Sequence, residues 1–139
     1  MKYGRLLLEK REYVYLKRIL NISGYVGDHE TQRSLTKLSE ELKSAQVVDE
    51  ENLPKDVVRF NSQVTVISDK GWERSFQVVI PVDRDFNQNK ISVLTPMGSA
   101  LMGYSENDTV DWDFPGGKET LKITKVVYEH NYKGIDILL

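Results

Sequence analysis

The chain has 139 residues, no cysteine, and 19 Lys and Arg against 21 Asp and Glu. Leu, Ile, Val and Phe together make up 41 residues, enough to build a core, so a disordered chain is excluded. The net charge of −2 argues against a basic protein that coats DNA, and the missing cysteine excludes disulfide staples and thiolate metal sites. The apolar run Leu6-Leu7-Leu8 is closed at once by Glu9-Lys10-Arg11, far too short for a signal-peptide core or a membrane span. A cytoplasmic protein is expected.

From Leu8 to about Val48 the apolar spacing is helical. Tyr13, Leu16 and Leu20 repeat at 3 and 4, and Leu35, Leu38, Leu42 and Ala45 follow a 3-4-3 pattern. Between the two stripes lies Ser23-Gly24-Tyr25-Val26-Gly27, and Asp28 stands where it would cap the second helix. The spacing predicts an αα-hairpin over residues 1–48 whose two stripes face each other. Its first arm, Glu9 to Asn21, would be about 20 Å long. The acidic stretch Asp49-Glu50-Glu51-Asn52-Leu53-Pro54 breaks the pattern and predicts a linker over 49–56.

After Pro54 the period becomes 2, and a sheet domain is expected over 57–139. Val64 and Val66 mark one strand, Asp69-Lys70-Gly71 a turn, and Phe76, Val78 and Ile80 a second strand. Ile91 and Val93 mark a third. Val110, Trp112 and Phe114 alternate with Asp111 and Asp113, a strand with one wet face. Pro115-Gly116-Gly117 turns that strand into Thr120–Tyr128. There the phase slips, because Leu121 and Ile123 are followed by Val126 and Tyr128; one extra residue, a β-bulge near Thr124-Lys125, restores it. One helix interrupts this mostly antiparallel, roughly five-stranded sheet. Thr95 is its N-cap, Pro96 its first residue, Met97, Ala100 and Leu101 its apolar face, and Gly103 its left-handed stop.

Self-contained chemistry is hard to find in this sequence. His29 and His130 lie in different halves without carboxylates at ligand spacing, so solvated histidines are expected and no metal. Gly116-Gly117-Lys118 lacks the first glycine and the Ser/Thr of a phosphate loop, and Met97-Gly98-Ser99-Ala100 lacks the second glycine of a nucleophile elbow. No catalytic residue and no cofactor are assigned. Two charged features remain. Lys10, Arg11, Lys17 and Arg18 repeat at i, i+1, i+7 and i+8 along one face of the first helix, either as a solvated face or as a stripe facing nucleic-acid phosphates. Asp28 and Glu30 sit at the hairpin turn, either as helix-capping acids or as a carboxylate pair offered to a magnesium ion in a partner's active site.

One pattern is distinctive. Ile91-Ser92-Val93-Leu94-Thr95-Pro96-Met97-Gly98-Ser99-Ala100-Leu101-Met102-Gly103, then Asn107-Asp108-Thr109-Val110, then Pro115-Gly116-Gly117, resembles the C-terminal domain of the GreA/GreB transcription elongation factors. Upstream, the stretch from Val47 to Ser62 resembles the linker and first strand of the short, Rnk-like branch, the regulators of nucleoside diphosphate kinase. The resemblance covers about Val47 to Tyr128.

It implies an α+β protein: a short N-terminal antiparallel helical hairpin (coiled coil), then an FKBP-like antiparallel sheet domain with one short helix. It also implies RNA polymerase as partner, docked near the rim of the secondary channel through Asp83, Thr95, Pro96, Met97 and Gly98. Contact with RNA or DNA in the elongation complex would be indirect, with no membrane and no small-molecule substrate. Long-hairpin members of that family place an acidic pair in the channel to help the polymerase cleave backtracked RNA. Here the arms are short and the tip reads Asp28-His29-Glu30, without the family's Asp-x-x-Glu-Asn run. The expected role is therefore non-catalytic modulation of elongation. Stimulation of transcript cleavage through Asp28 and Glu30 is the alternative, and a prolyl isomerase or chaperone on the shared fold is a third reading.

Overall fold

A computed structural model describes residues 1–23, 29–114 and 117–128, with the side chains of Ser23, Glu30, Asp113, Phe114 and Gly117 also left aside. Elements follow in the order β1 (Leu7–Glu9), α1 (Lys10–Ser23), α2 (His29–Leu42), β2 (Gln46–Val48), β3 (Gln63–Ser68), β4 (Glu73–Val79), β5 (Lys90–Ser92), α3 (Pro96–Leu101), β6 (Thr109–Phe114) and β7 (Gly117–Val127). The architecture is mixed α+β, with N-terminal helices and a mostly antiparallel sheet. The predicted cap Asp28, the turn Pro115-Gly116 and His130 lie outside the described residues.

The helical pair is rooted by a two-stranded parallel ribbon that the sequence pattern did not predict. Leu7, Leu8 and Glu9 of β1 pair with Gln46, Val47 and Val48 of β2. The Gln46 N–H donates to the Leu6 carbonyl at 2.8 Å, and the Leu7 N–H to the Gly103 carbonyl at 3.2 Å. Leu6 and Leu8 enter the main core, while Leu7 packs with Leu53 and Val57 in a small second cluster. Leu16, Leu20, Leu35, Leu38 and Leu42 are all buried, as their spacing requires. The stripes do not simply face each other, however. The broader contact of α2 is with α3, and both stripes join one core with Val58, Phe60, Val64, Phe76, Leu101 and Ile123. A helix buries its apolar stripe against whatever apolar layer the fold supplies, and here that layer includes the sheet and α3.

The five-stranded sheet has the order β5-β4-β3-β7-β6, antiparallel except for the β4–β5 pair. The β3–β4 hairpin closes over Gly71, whose φ of +95° is accessible to glycine at no steric cost. The phase slip in β7 is a bulge. Thr65 pairs with Lys125 and Val66 with Ile123, so Thr124 is the extra residue, and its hydroxyl donates to the Thr65 carbonyl at 3.2 Å. The bulge returns Val126 to the buried face. Trp112 is half-buried against the core and meets Trp72 edge to face, with ring centres 6.4 Å apart.

The helix α3 starts and stops as its sequence dictates. The Thr95 hydroxyl accepts from the Gly98 N–H at 3.1 Å and donates to the Ser92 carbonyl at 2.7 Å. Gly103 takes φ +84° just beyond the helix. At Gly98 the constraint is space: a Cβ there would lie 2.3 Å from the Ser92 carbonyl oxygen. Gly98→Ala should therefore destabilise the protein by about 1–3 kcal/mol in urea titration, against the usual gain from replacing glycine in a helix. An unchanged midpoint would contradict this packing.

Candidate functional site

The expected docking residues divide into three kinds. Thr95 is committed to capping α3, and its side chain is half-buried. Gly98 is buried and serves the close approach of α3 to Ser92. Met97 is only 7% exposed and belongs to the core, as the apolar face of α3 predicts, so its side chain is not an exposed anchor for docking. The first turn of α3 aims this side chain at the sheet because Thr95 and Pro96 fix the entry angle. Pro96 is half-buried, and Asp83 is exposed.

Around Asp83 the structure brings out two residues that the sequence reading missed. Val82 is 78% exposed and Phe86 is 90% exposed. Both stand on ordered turns. Pro81–Asp83 is a 3-10 turn with proline leading it, and Arg84 Nη1 donates to the Pro81 carbonyl at 2.9 Å. Phe86–Gln88 is a second 3-10 turn, capped by the Asp85 carboxylate, which accepts from Asn87 N–H at 3.1 Å, and closed by Asn89 at φ +55°. Paired backbone hydrogen bonds between Asp85 and Lys90 seal its base, and β5 packs against both turns. A phenyl ring held in water by this turn forgoes roughly 1.5–3 kcal/mol of burial. Only a period-breaking Phe in a loop signalled this in the sequence. Asp83 also borders the helical half: together with burial, its charge raises the titration of the Tyr15 phenol on α1.

The basic stripe of α1 is exposed throughout, at Lys10, Arg11, Lys17 and Arg18. Arg11 turns back toward buried Glu9 at 3.6 Å, and Lys10 borders a shallow recess beside β2. Lys17 and Arg18 instead line a groove of about 660 Å³ between α1 and α2, which Lys43, just after α2, joins. The Lys17 ammonium stands 5.6 Å from the centre of the Tyr13 ring. At the other end of the pair, His29 is exposed, Asp28 lies outside the described residues, and Glu30 belongs to the first turn of α2. Among the described residues no His, Asp and Glu cluster could hold a metal ion, and no helix is long and apolar enough to cross a membrane.

A buried charge cluster couples the two halves. Arg59, 6% exposed, donates through Nε to Glu12 Oε2 at 2.9 Å and through Nη2 to the same oxygen. Its Nη2 also donates to Glu50 Oε1 at 2.8 Å. The other Glu12 oxygen accepts from the Phe60 N–H at 2.9 Å, and the guanidinium lies over the Tyr128 ring at 4.2 Å. The stretch expected as a linker is thus an ordered 3-10 turn, Glu50–Asn52, followed by buried Leu53.

With this geometry in view, comparison with known proteins is decisive. The family described as "Transcription elongation factor, GreA/GreB, C-term" matches residues 53–128, more than half of the chain. The chain belongs to the GreA/GreB family. It is 36% identical over 105 residues to the Escherichia coli protein called regulator of nucleoside diphosphate kinase, covering 73% of this chain and 76% of that one. It is 30% identical over 93 residues to transcription elongation factor GreA of Bradyrhizobium diazoefficiens, covering 66% of this chain and 59% of that one. The solved structure of a prokaryotic transcription elongation factor GreA/GreB from Nitrosomonas europaea superposes with a TM-score of 0.72 at 31% identity, covering 90% of this chain and 99% of that one. The fold is GreA-like.

Burial pushes the Glu12 carboxyl up to about 7, and Arg59 and the Phe60 N–H oppose that shift. The folded protein therefore takes up a proton as pH falls through 7, while the unfolded chain does so only near 4.5. The stability that Glu12 contributes is complete below about pH 4.5 and is lost as pH rises through 7. Wild type should accordingly be more stable relative to Glu12→Gln at pH 5.5 than at pH 8 in parallel denaturant titrations. A difference between the two proteins that stays constant with pH would contradict this reading.

Proposed function

We propose that this protein is an elongation regulator that binds RNA polymerase through its sheet half, near the rim of the secondary channel, and has no chemistry of its own. The observation that carries the reading is the pair of 3-10 turns between β4 and β5 that leave Val82, Asp83 and Phe86 exposed. An exposed phenyl ring, with an exposed carboxylate three positions earlier in the chain, offers a small apolar anchor of the type enriched at interfaces. Family membership supplies the class of partner. In this reading the sheet half is the FKBP-like docking head and α1 and α2 form a short antiparallel coiled coil at the channel entrance. Residues 1–48, 49–56 and 57–139 are then the hairpin, the connector and the head.

Each helix has 14 residues, about 21 Å of reach. Such arms occupy an entrance rather than extend deep into a channel, so the protein acts by obstruction, competing with cleavage factors or other channel ligands. The stripe Lys10, Arg11, Lys17 and Arg18 meets RNA or DNA only within the elongation complex. Backtracked complexes test the division of roles. The protein should slow or block cleavage by an added GreA, and should not itself shorten the transcript. Magnesium-dependent shortening abolished by Asp28→Ala and Glu30→Ala would instead establish a cleavage factor.

Docking is tested by substitution. Phe86→Asp and Asp83→Ala should each weaken binding to polymerase core about tenfold or more, with no change in thermal midpoint, because both side chains are exposed. Met97→Asp should unfold the protein, since it buries a charge in the core. Full polymerase affinity in Phe86→Asp would remove this surface from the proposal.

A further inference from the structure

Another recess lies at the seam between the helical pair and the sheet. Where α2 meets α3 and α3 meets β6, the packing leaves an opening of about 110 Å³. Three cations border it: Arg33 and Lys37 of α2, and Lys118 of β7. All three are exposed, and among the described residues none of them forms an ion pair or a side-chain hydrogen bond. Arg33 and Lys37 stand one turn apart on the same helix, a like-charge spacing that weakens a helix unless something neutralises it. Lys118 joins them only through the fold, because the β6–β7 hairpin passes beside α2. Half-buried Ser34 and Ala100 and buried Ser99 line the interior, with the Trp112 side chain at one wall. One carboxylate, Asp111, also borders the recess, and its Oδ1 accepts from the Thr120 hydroxyl at 3.3 Å. The lining therefore holds two positive charges in excess.

We propose that this recess binds a single phosphate group, free or as a phosphomonoester, between Arg33 and Lys37 on one side and Lys118 on the other. Size selects the class first. The opening of about 110 Å³ has room for three or four waters at roughly 30 Å³ each, enough for a tetrahedral oxyanion. It is far below the roughly 300–1,000 Å³ of a site that encloses a whole small molecule, so any remainder of the ligand stays outside. Charge selects next. A phosphate dianion matches the excess of two, whereas a carboxylate would leave one cation unmatched. The planar fork of Arg33 suits two phosphate oxygens, the two lysines act as point charges, and Ser34 offers a hydroxyl donor. No residue of the recess belongs to the α1 stripe or to the turns at Asp83 and Phe86, so the site stands whether or not those surfaces meet polymerase.

Titration of the 139-residue protein with inorganic phosphate at fixed ionic strength tests the proposal, followed by calorimetry and by the indole N–H signals in nuclear magnetic resonance. One saturable site is expected, at sub-millimolar to millimolar affinity, with the Trp112 signal perturbed more than that of Trp72. Arg33→Gln and Lys118→Gln should each weaken binding about tenfold or more, and Asp111→Asn should tighten it severalfold. Lys122→Gln, on β7 but not bordering the recess, should leave it unchanged. Arg33 and Lys118 are exposed, so thermal midpoints without phosphate stay at the wild-type value. AMP separates the two sources. Binding about tenfold tighter than phosphate assigns the site to phosphomonoesters, equal or weaker binding assigns it to free phosphate, and both uphold the recess. No saturation by tens of millimolar phosphate, an equal loss in Lys122→Gln, or adenosine binding as tightly as AMP would overturn it.

Discussion

The relation between the two halves rests on one buried guanidinium. Arg59, just ahead of β3, reaches Glu12 on α1, Glu50 in the connecting turn and the face of Tyr128 after β7. Residues from α1, from the connecting turn nine positions earlier and from the end of β7 converge on a planar cation whose fixed fork suits two carboxylates and one aromatic ring. Burying such a group is costly, and the cluster is stable because nearly every polar atom has a partner: one Glu12 oxygen serves Arg59 and the other the Phe60 backbone. Removing one member of a buried pair typically costs about 3–5 kcal/mol, so the cluster sets a defined seat for α1 on the sheet half. The apolar core supports the same seat, with Tyr15 of α1 packed edge to face on Phe60 at 5.8 Å.

This arrangement separates the residues that carry the family pattern from those that would meet a partner. Thr95 caps α3, Gly98 permits its close approach to Ser92, and Gly103 provides the left-handed turn. Asn107 adopts φ +74°, and Asp108 accepts from the Ser105 N–H at 2.8 Å and from the Lys2 N–H. These positions hold the strand-to-helix corner and the entry to β6 in shape. The turns between β4 and β5 instead leave two apolar side chains, Val82 and Phe86, in water. A distinctive sequence pattern here specifies a frame.

Features governed by neighbours in sequence were legible before any coordinates. The cap at Thr95, the glycine turn at Gly71 and the bulge at Thr124 follow from local stereochemistry and from alternation with period 2. Features decided by distant partners were not. The β1–β2 ribbon joins residues separated by two helices, and Arg59 meets Glu12 across 47 positions. Glu12 follows directly on the exposed pair Lys10 and Arg11, yet it is 3% exposed. The same limit explains Met97, whose apolar character fits either a core or an anchor until the helix entry angle is known. It also explains Lys43, which joins Lys17 and Arg18 only because α2 folds back along α1.

The central claim is that the turns around Phe86 are the surface by which this protein meets RNA polymerase. A photoreactive phenylalanine analogue placed at position 86 tests it most directly, with illumination in the presence of purified polymerase core at micromolar concentration. The account predicts an efficient crosslink to the enzyme that an excess of GreA suppresses. Absence of a crosslink, or one indifferent to GreA, would contradict it.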